Sequence, residues 1–169
     1  SRRQIEEIVN VYKSALAQAA LSAESIDVIA VTTKPGLIGS LLMGVNFAKA
    51  LAFYYNKPIV AVDHIMGHIA ANYITYQELE PPFLCLTVSG GHTSILLVET
   101  YTSYKIIGTT HDDAAGEAFD KVGRALGLEY PVGRKIDELA ALGNSKRYSL
   151  PHPKVEGYEF DFSFSGLKT

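Results

Sequence analysis

An apolar strand pattern at Ile26–Thr32, broken by Pro35-Gly36, is followed by a small-residue-rich helical pattern over Ser40–Tyr55 and a second short apolar run at Ile59–Val62. A strand, a helix and a strand in that order constrain the fold more than any other feature of the chain. Two strands joined by a crossover helix lie parallel in one sheet, and such sheets are covered by helices. The spacing predicts a parallel α/β unit that delivers the residues after its second strand to the sheet end where open α/β sheets place ligands. His64 stands just past that end. Ahead of the unit, Ile5, Ile8, Val9, Tyr12, Leu16 and Ala19 recur at helical spacing and predict a helix with one buried face.

His64 and His68 sit four residues apart in Val62-Asp63-His64-Ile65-Met66-Gly67-His68-Ile69, which puts two imidazoles on one side of a helical turn. Neutral imidazole is the commonest protein ligand for zinc or iron, and two protein ligands leave positions open for a substrate. The plainer reading of an isolated pair is two histidines that hydrogen-bond to their surroundings. Here further motifs accompany the pair.

The polar, double-proline stretch Gln77–Pro82 predicts a boundary between two lobes, 1–80 carrying the histidine motif and 83–169 beyond it, with a cleft between them. In the second lobe, Phe83–Ser89, His92–Thr100 and Tyr104–Thr110 read as an antiparallel meander. Helices are predicted over Asp113–Leu126, stopped by Gly127, and over Ile136–Leu142, stopped by Gly143-Asn144. Pro151 and Pro153 mark a loop, and the alternation at Tyr158–Phe164 reads as a strand.

Composition excludes some classes of function. With 47% hydrophobic and 20% charged residues in 169, the chain has the balance of an ordinary globular protein. A net charge of -3 gives no electrostatic case for a dedicated phosphate-neutralising surface. The single cysteine, Cys85 between Leu84 and Leu86, rules out an internal disulfide and fits a strand core in a reducing setting. No apolar run approaches the ~20 residues that cross a bilayer, and no signal-peptide block opens the chain, so the expected location is cytoplasmic. A first residue Ser1 rather than Met, and a patterned run that stops at Thr169, read as a piece of something longer.

Ser89-Gly90-Gly91-His92 follows an apolar strand and precedes another. Two glycines there permit positive φ and backbone N–H groups aimed at an anion, or simply a tight hairpin. Asp112-Asp113 stands where carboxylates cap the next helix. Along that helix Asp113, Glu117, Asp120 and Arg124 fall on one face, with Asp120 within reach of Arg124. This is either a solvated charged face or, at Asp120, an acceptor for ligand hydroxyls. Pro131-Val132-Gly133 with Asp137 one turn later is either a loop entering a helix or a ribose clasp. Thr33–Gly44 lacks P-loop spacing, and Lys146-Arg147 with Lys154 is a small solvated basic cluster.

Pro35-Gly36-Leu37, His64-x3-His68, Ser89-Gly90-Gly91-His92, Asp112 to Lys121 (Asp-Asp-Ala-Ala-Gly-Glu-Ala-Phe-Asp-Lys) and Phe162-Ser-Phe-Ser-Gly-Leu-Lys-Thr169 occur in one order along the chain. That combination resembles the TsaD family, also called Kae/Gcp, the tRNA N6-adenosine threonylcarbamoyltransferases once labelled glycoprotein endopeptidases. The resemblance implies a two-lobed actin/Hsp70/sugar-kinase fold with ribonuclease-H-like sheets, incomplete in this chain. It implies one divalent ion, iron or zinc, held by His64 and His68. Thr87, Val88, Ser89, Gly90 and Gly91 match the family's substrate-contacting strand and turn, and Asp120, Gly133 and Asp137 match further donor-contacting positions. The implied reaction moves a threonylcarbamoyl group from its adenylate to N6 of adenosine 37 in tRNAs reading codons that begin with A. The implied partners are tRNA, threonylcarbamoyl-adenylate or AMP, a TsaB-like paralogue and a TsaE-like ATPase, without a membrane. The expected chemistry is a cation drawing charge from the donor's oxygens, with Ser89–Gly91 N–H groups on its anionic part and no general base identified.

Two positions depart from the family pattern. Lys34 stands where a glycine usually precedes Pro-Gly-Leu, and Pro131-Val132-Gly133-Arg134 replaces Pro-Gly-Gly-Pro. By the same resemblance, an N-terminal strand pair and a C-terminal aspartate ligand are not among these residues. Weak metal binding and little or no transferase activity are therefore expected of this chain by itself. A metalloendopeptidase is the rival enzyme. Against it, zinc proteases on this general plan use His-Glu-x-x-His, whereas Ile65 follows the first histidine here. A non-catalytic nucleotide-binding subunit is the second rival.

Overall fold

Apolar residues at helical spacing with no proline among them form α1, Arg2–Ala19. The computed structural model describes residues 2–168, with side chains from residue 5 onward. On α1, Tyr12 meets Phe47 edge-on with ring centroids 5.6 Å apart, and Phe47 belongs to α2, Ile38–Tyr54. Small residues let α2 lie close to its strand: Ala48 and Ala52 are buried, and Gly44 faces the Val31 side chain. That strand is β1, Ile29–Lys34, paired in parallel with β2, Ile59–Asp63, from Ile29↔Ile59 to Lys34↔Asp63. The crossover unit expected from the sequence is present. The first strand starts later than the apolar run suggests, because Ala23–Ser25 winds into a 3-10 turn that holds the Ile26 N–H on Ala23 O. It runs on to Lys34, which finds a partner in Asp63. β2 passes without a gap into α3, His64–Thr75.

The chain divides into two units between Gln77 and Glu78. In the second unit β3 (Phe83–Val88), β4 (Thr93–Thr100) and β5 (Ser103–Thr109) form an antiparallel sheet in that order. One face is core: Leu96 and Val98 are buried. On the opposite face of β3, Leu84, Leu86 and Val88 are 66%, 61% and 54% exposed, so the period-two pattern carries apolar residues on both sides. The mixed α/β class read from the sequence is thus realised as one parallel and one antiparallel sheet.

Three helices follow: α4 (Ala115–Ala125), α5 (Gly133–Ala140) and the single turn α6 (Ser165–Lys168). α5 begins three residues before the predicted start at Ile136, because buried Val132 anchors its entry against Gly123 of α4. The predicted strand at Tyr158–Phe164 is reduced to one parallel bridge, Thr110↔Phe162. Asp161 explains why: its Oδ1 accepts the Thr109 N–H at 2.9 Å, the donor that a longer ladder would need.

Candidate functional site

The histidine pair owes its geometry to Asp63, the last residue of β2. Its Oδ1 accepts the N–H groups of Ile65 at 2.8 Å and Met66 at 3.2 Å, capping α3 and fixing the angle at which the helix leaves the strand. Buried Ile65 and Ile69 pin the helix to its sheet, which turns His64 and His68 about 100° away around the helix, half-buried and exposed respectively. Their Nε2 atoms are 3.1 Å apart. Two nitrogens bound at about 2.0–2.1 Å to one tetrahedral or octahedral ion stand roughly 2.9–3.4 Å apart, so the pair fits the bite of a shared divalent ion. The same spacing serves a hydrogen bond between opposite tautomers. Among the described residues no group of three His, Cys, Asp or Glu side chains gathers to hold an ion.

The glycine turn of the second unit is built differently from expectation. Ser89 N donates to His92 O at 2.8 Å, and Ser89 Oγ accepts from the N–H groups of Gly91 at 3.3 Å and His92 at 3.0 Å. Neither Gly90 nor Gly91 has positive φ. The turn thus uses most of its own donors and leaves the exposed Gly90 N–H outside that internal set. Its need for glycine comes instead from α4. A Cβ on Gly116 would stand 2.8 Å from Gly90 Cα, and the Gly116 N–H donates to Ser89 O at 3.2 Å.

On the same face of α4, one turn on, Asp120 Oδ1 accepts the Val132 N–H at 3.1 Å, which puts the carboxylate beside Gly133 at the start of α5. The expected pair with Arg124 is not formed. The backbone donor outcompetes it because Val132 is locked into the socket of Gly123, where a Cβ would come within 2.5 Å of its side chain. At a rise of about 1.5 Å per residue, the four residues from Gly116 to Asp120 separate the turn from the α5 entry by about 6 Å along the helix, a span that nucleotide-sized molecules cover. Around Gly133 a Cβ meets nothing within 4 Å, so the surface there is open. Asp137 lies exposed one turn further along α5.

Thr87 is aligned with Ser94 and Thr109 across the three strands. Ser94 Oγ and Thr109 Oγ1 bond to each other at 3.1 Å, whereas the buried Thr87 hydroxyl has no hydrogen-bond partner among the described residues. Val88 points outward, 54% exposed.

The expected helix caps at Asp112-Asp113 are corrected by the structure. Ala114 occupies the N-cap position of α4 without a side-chain bond, and Thr93 Oγ1 accepts the Ala115 N–H at 2.9 Å instead. Asp112 turns to the C-terminal segment: Oδ2 accepts from Ser163 Oγ at 2.6 Å and Ser165 Oγ at 2.7 Å, and Oδ1 from the N–H groups of Phe164 and Ser165. Partial burial pushes its carboxyl up, but the bonds from Ser163, Phe164 and Ser165 together hold it well below the usual carboxylate range. Asp113 is held low chiefly by Lys121, against burial and with help from Lys168. Sequence reading missed the Asp112 partners because they lie 51 to 53 positions further along the chain, and the Asp113 partner because Lys121 reaches back eight residues from α4. The Phe-Ser-Phe-Ser run was the visible half of the signal.

Over residues 1–169 the chain matches the family described as TsaD, tRNA N6-adenosine threonylcarbamoyltransferase. A protein of that name from Clostridium perfringens is 54% identical over 169 residues, covering 100% of this chain and 50% of the relative. One from Thermosipho melanesiensis is 50% identical, covering 100% and 52%. The chain therefore spans about half the length of the curated relatives it matches. Among solved structures, YeaZ from Pseudomonas aeruginosa aligns with a TM-score of 0.45 at 15% identity, over 63% of this chain and 53% of that one.

Proposed function

We propose, because the chain belongs to the TsaD family, that it carries donor-holding and metal-holding parts of a tRNA N6-adenosine threonylcarbamoyltransferase. The reaction is transfer of threonylcarbamoyl from its adenylate to N6 of adenosine 37 in tRNAs reading codons that begin with A. The observation that carries this reading is the whole-chain family match together with a histidine pair at metal-bite spacing. His64 and His68 would hold the ion, iron or zinc, which when bound supplies Lewis-acid positive charge.

The remaining work falls to the second unit. The exposed Gly90 N–H offers a hydrogen bond at the turn, and Thr87, Val88, Ser89 and Gly91 shape it. Asp120 orders the entry to α5, so that Gly133 offers an open main-chain surface and Asp137 a carboxylate for hydroxyl groups of the adenylate. Holding the donor in one pose lowers the barrier to amine attack by removing rotational freedom before the reaction. tRNA, a TsaB-like paralogue and a TsaE-like ATPase are the partners this reading assigns to the working enzyme. The reading puts the working enzyme in the cytoplasm with its tRNA substrate. No described helix is long and apolar enough to cross a membrane.

Titration with AMP tests the reading. Wild-type chain is expected to bind AMP and Asp137→Ala to bind it more weakly, while tRNA modification by the chain alone is expected to be slight. Failure of the wild-type chain to bind AMP removes the donor site. Peptide hydrolysis abolished by chelation and restored by zinc would favour the endopeptidase instead.

A further inference from the structure

Four hydrogen bonds converge on the Asp112 carboxylate from residues 51 to 53 positions further along the chain. None of them serves α4, the helix that Asp112 precedes. The same C-terminal strap adds an acceptor for the His111 N–H at Phe162 O, 3.0 Å, and the Lys168 ammonium 3.3 Å from Asp113. On its other side the short junction from β5 to α4 is bonded to the hairpin. Thr110 N donates to Thr93 O at 3.0 Å, Ala115 N to Thr93 Oγ1 at 2.9 Å, and Gly116 N to Ser89 O at 3.2 Å. The junction is therefore gripped between the strap and the turn; on the strap side Asp112 makes four of the bonds, beside those of Asp161 to Thr109 and His111 and of Phe162 N to Thr109 O.

We propose that Asp112 is a positioning residue for the donor-holding turn: by clamping the strap at Ser163–Ser165, it keeps the start of α4 seated against Ser89 and Gly90. This rests on the reading of that turn as part of the donor site. The clamp draws on the acceptor geometry of the carboxylate and on its charge, which strengthens all four bonds. Two backbone N–H groups share Oδ1, and the two serine hydroxyls at Oδ2 are able to turn and accept from an amide NH2 in its place. Asparagine therefore keeps the shape of the set in weaker, uncharged form, and alanine removes it.

The test is residue-resolved amide hydrogen exchange on the chain, with AMP as the binding probe. In Asp112→Ala, exchange at Phe164 and Ser165, and also at Ala115 and Gly116, is expected to rise about tenfold or more, while Leu96 and Val98 in the sheet core stay as in wild type. Asp112→Asn is expected to exchange faster than wild type but several-fold more slowly than Asp112→Ala at Phe164, Ser165, Ala115 and Gly116. Should Asp112→Ala fail to fold, the Ser163→Ala/Ser165→Ala pair, which keeps both backbone bonds, is expected to show the same pattern in smaller measure. AMP affinity should fall in Asp112→Ala and return in part in Asp112→Asn. Loss of protection at Phe164 and Ser165 with Ala115 and Gly116 unchanged would overturn the proposal, because the strap would then be held without seating the helix. Equal acceleration at Leu96 and Val98 would overturn it too, since Asp112 would then act only through global stability. A wild-type chain that binds no AMP counts against the donor site, and exchange at Ala115 and Gly116 still decides the clamp.

Discussion

Replacing Gly116 by alanine puts a methyl group where main chain already lies. The added Cβ would stand 2.8 Å from Gly90 Cα, 2.8 Å from Ser89 O and 2.9 Å from Gly90 N. All three are backbone atoms of a closed hairpin turn, so no flexible side chain is available to give way. Overpacking of that kind costs about 1–3 kcal/mol. The bond from Gly116 N to Ser89 O adds about 0.5–1.5 kcal/mol if the helix is pushed off. Alanine's helical preference over glycine returns about 0.5–1 kcal/mol. The balance is a loss of about 1–3 kcal/mol. With a urea slope of about 1–3 kcal/mol per molar, the unfolding midpoint should fall by roughly 1 M. Far-UV circular dichroism during urea unfolding reads this directly, and Gly133→Ala is the control. At Gly133 a Cβ meets nothing within 4 Å and the backbone is not left-handed, so the same change should be neutral or stabilise by up to about 1 kcal/mol. A Gly116→Ala midpoint equal to or above wild type would refute the contact between turn and helix.

Gly133→Ala, although harmless to stability, should weaken AMP binding in a titration, because its methyl occupies the open surface assigned to the adenylate. The carboxyls of Asp112, Asp113 and Asp161 are all held below the ordinary value of 3.8, the last mainly by the Thr109 N–H and then by His111. Their stabilisation is fully present above that value and is lost as pH falls through the lowered ones. Amides of Phe162, Phe164 and Ser165 should lose protection in acid before those of the sheet core, as exchange measured at stepped pH would record. Cobalt or zinc added to the chain should bind weakly, and either His64→Ala or His68→Ala should abolish the binding seen by calorimetry. Unchanged binding in both variants would exclude the pair as ligands.

Local pattern revealed what local forces decide. The crossover unit, the meander and the helical runs were legible because hydrophobic period and turn residues act over a few positions. The boundaries that moved were each set by a distant partner. Ile26 was claimed by the turn at Ala23, α5 was drawn back to Gly133 by Val132 in the Gly123 socket, and the strand expected near Phe160 was stopped by the Asp161 carboxylate. Asp112 and Asp120 show the same limit at the level of roles. Their spacing suggested a cap and an ion pair, which are short-range answers, whereas each carboxylate spends itself on a backbone donor 12 or more residues away. The glycines at 90 and 91 advertise conformational freedom in the sequence, yet the steric requirement for glycine sits at Gly116.

Where Ser89 and Gly90 touch Gly116, main chain meets main chain. A joint without side chains has no rotamers, so a molecule arriving there freezes none and pays little of the ordering entropy that usually erodes affinity. Pre-organisation of this kind is inherited from the hairpin and the helix, and it is present before any ligand arrives.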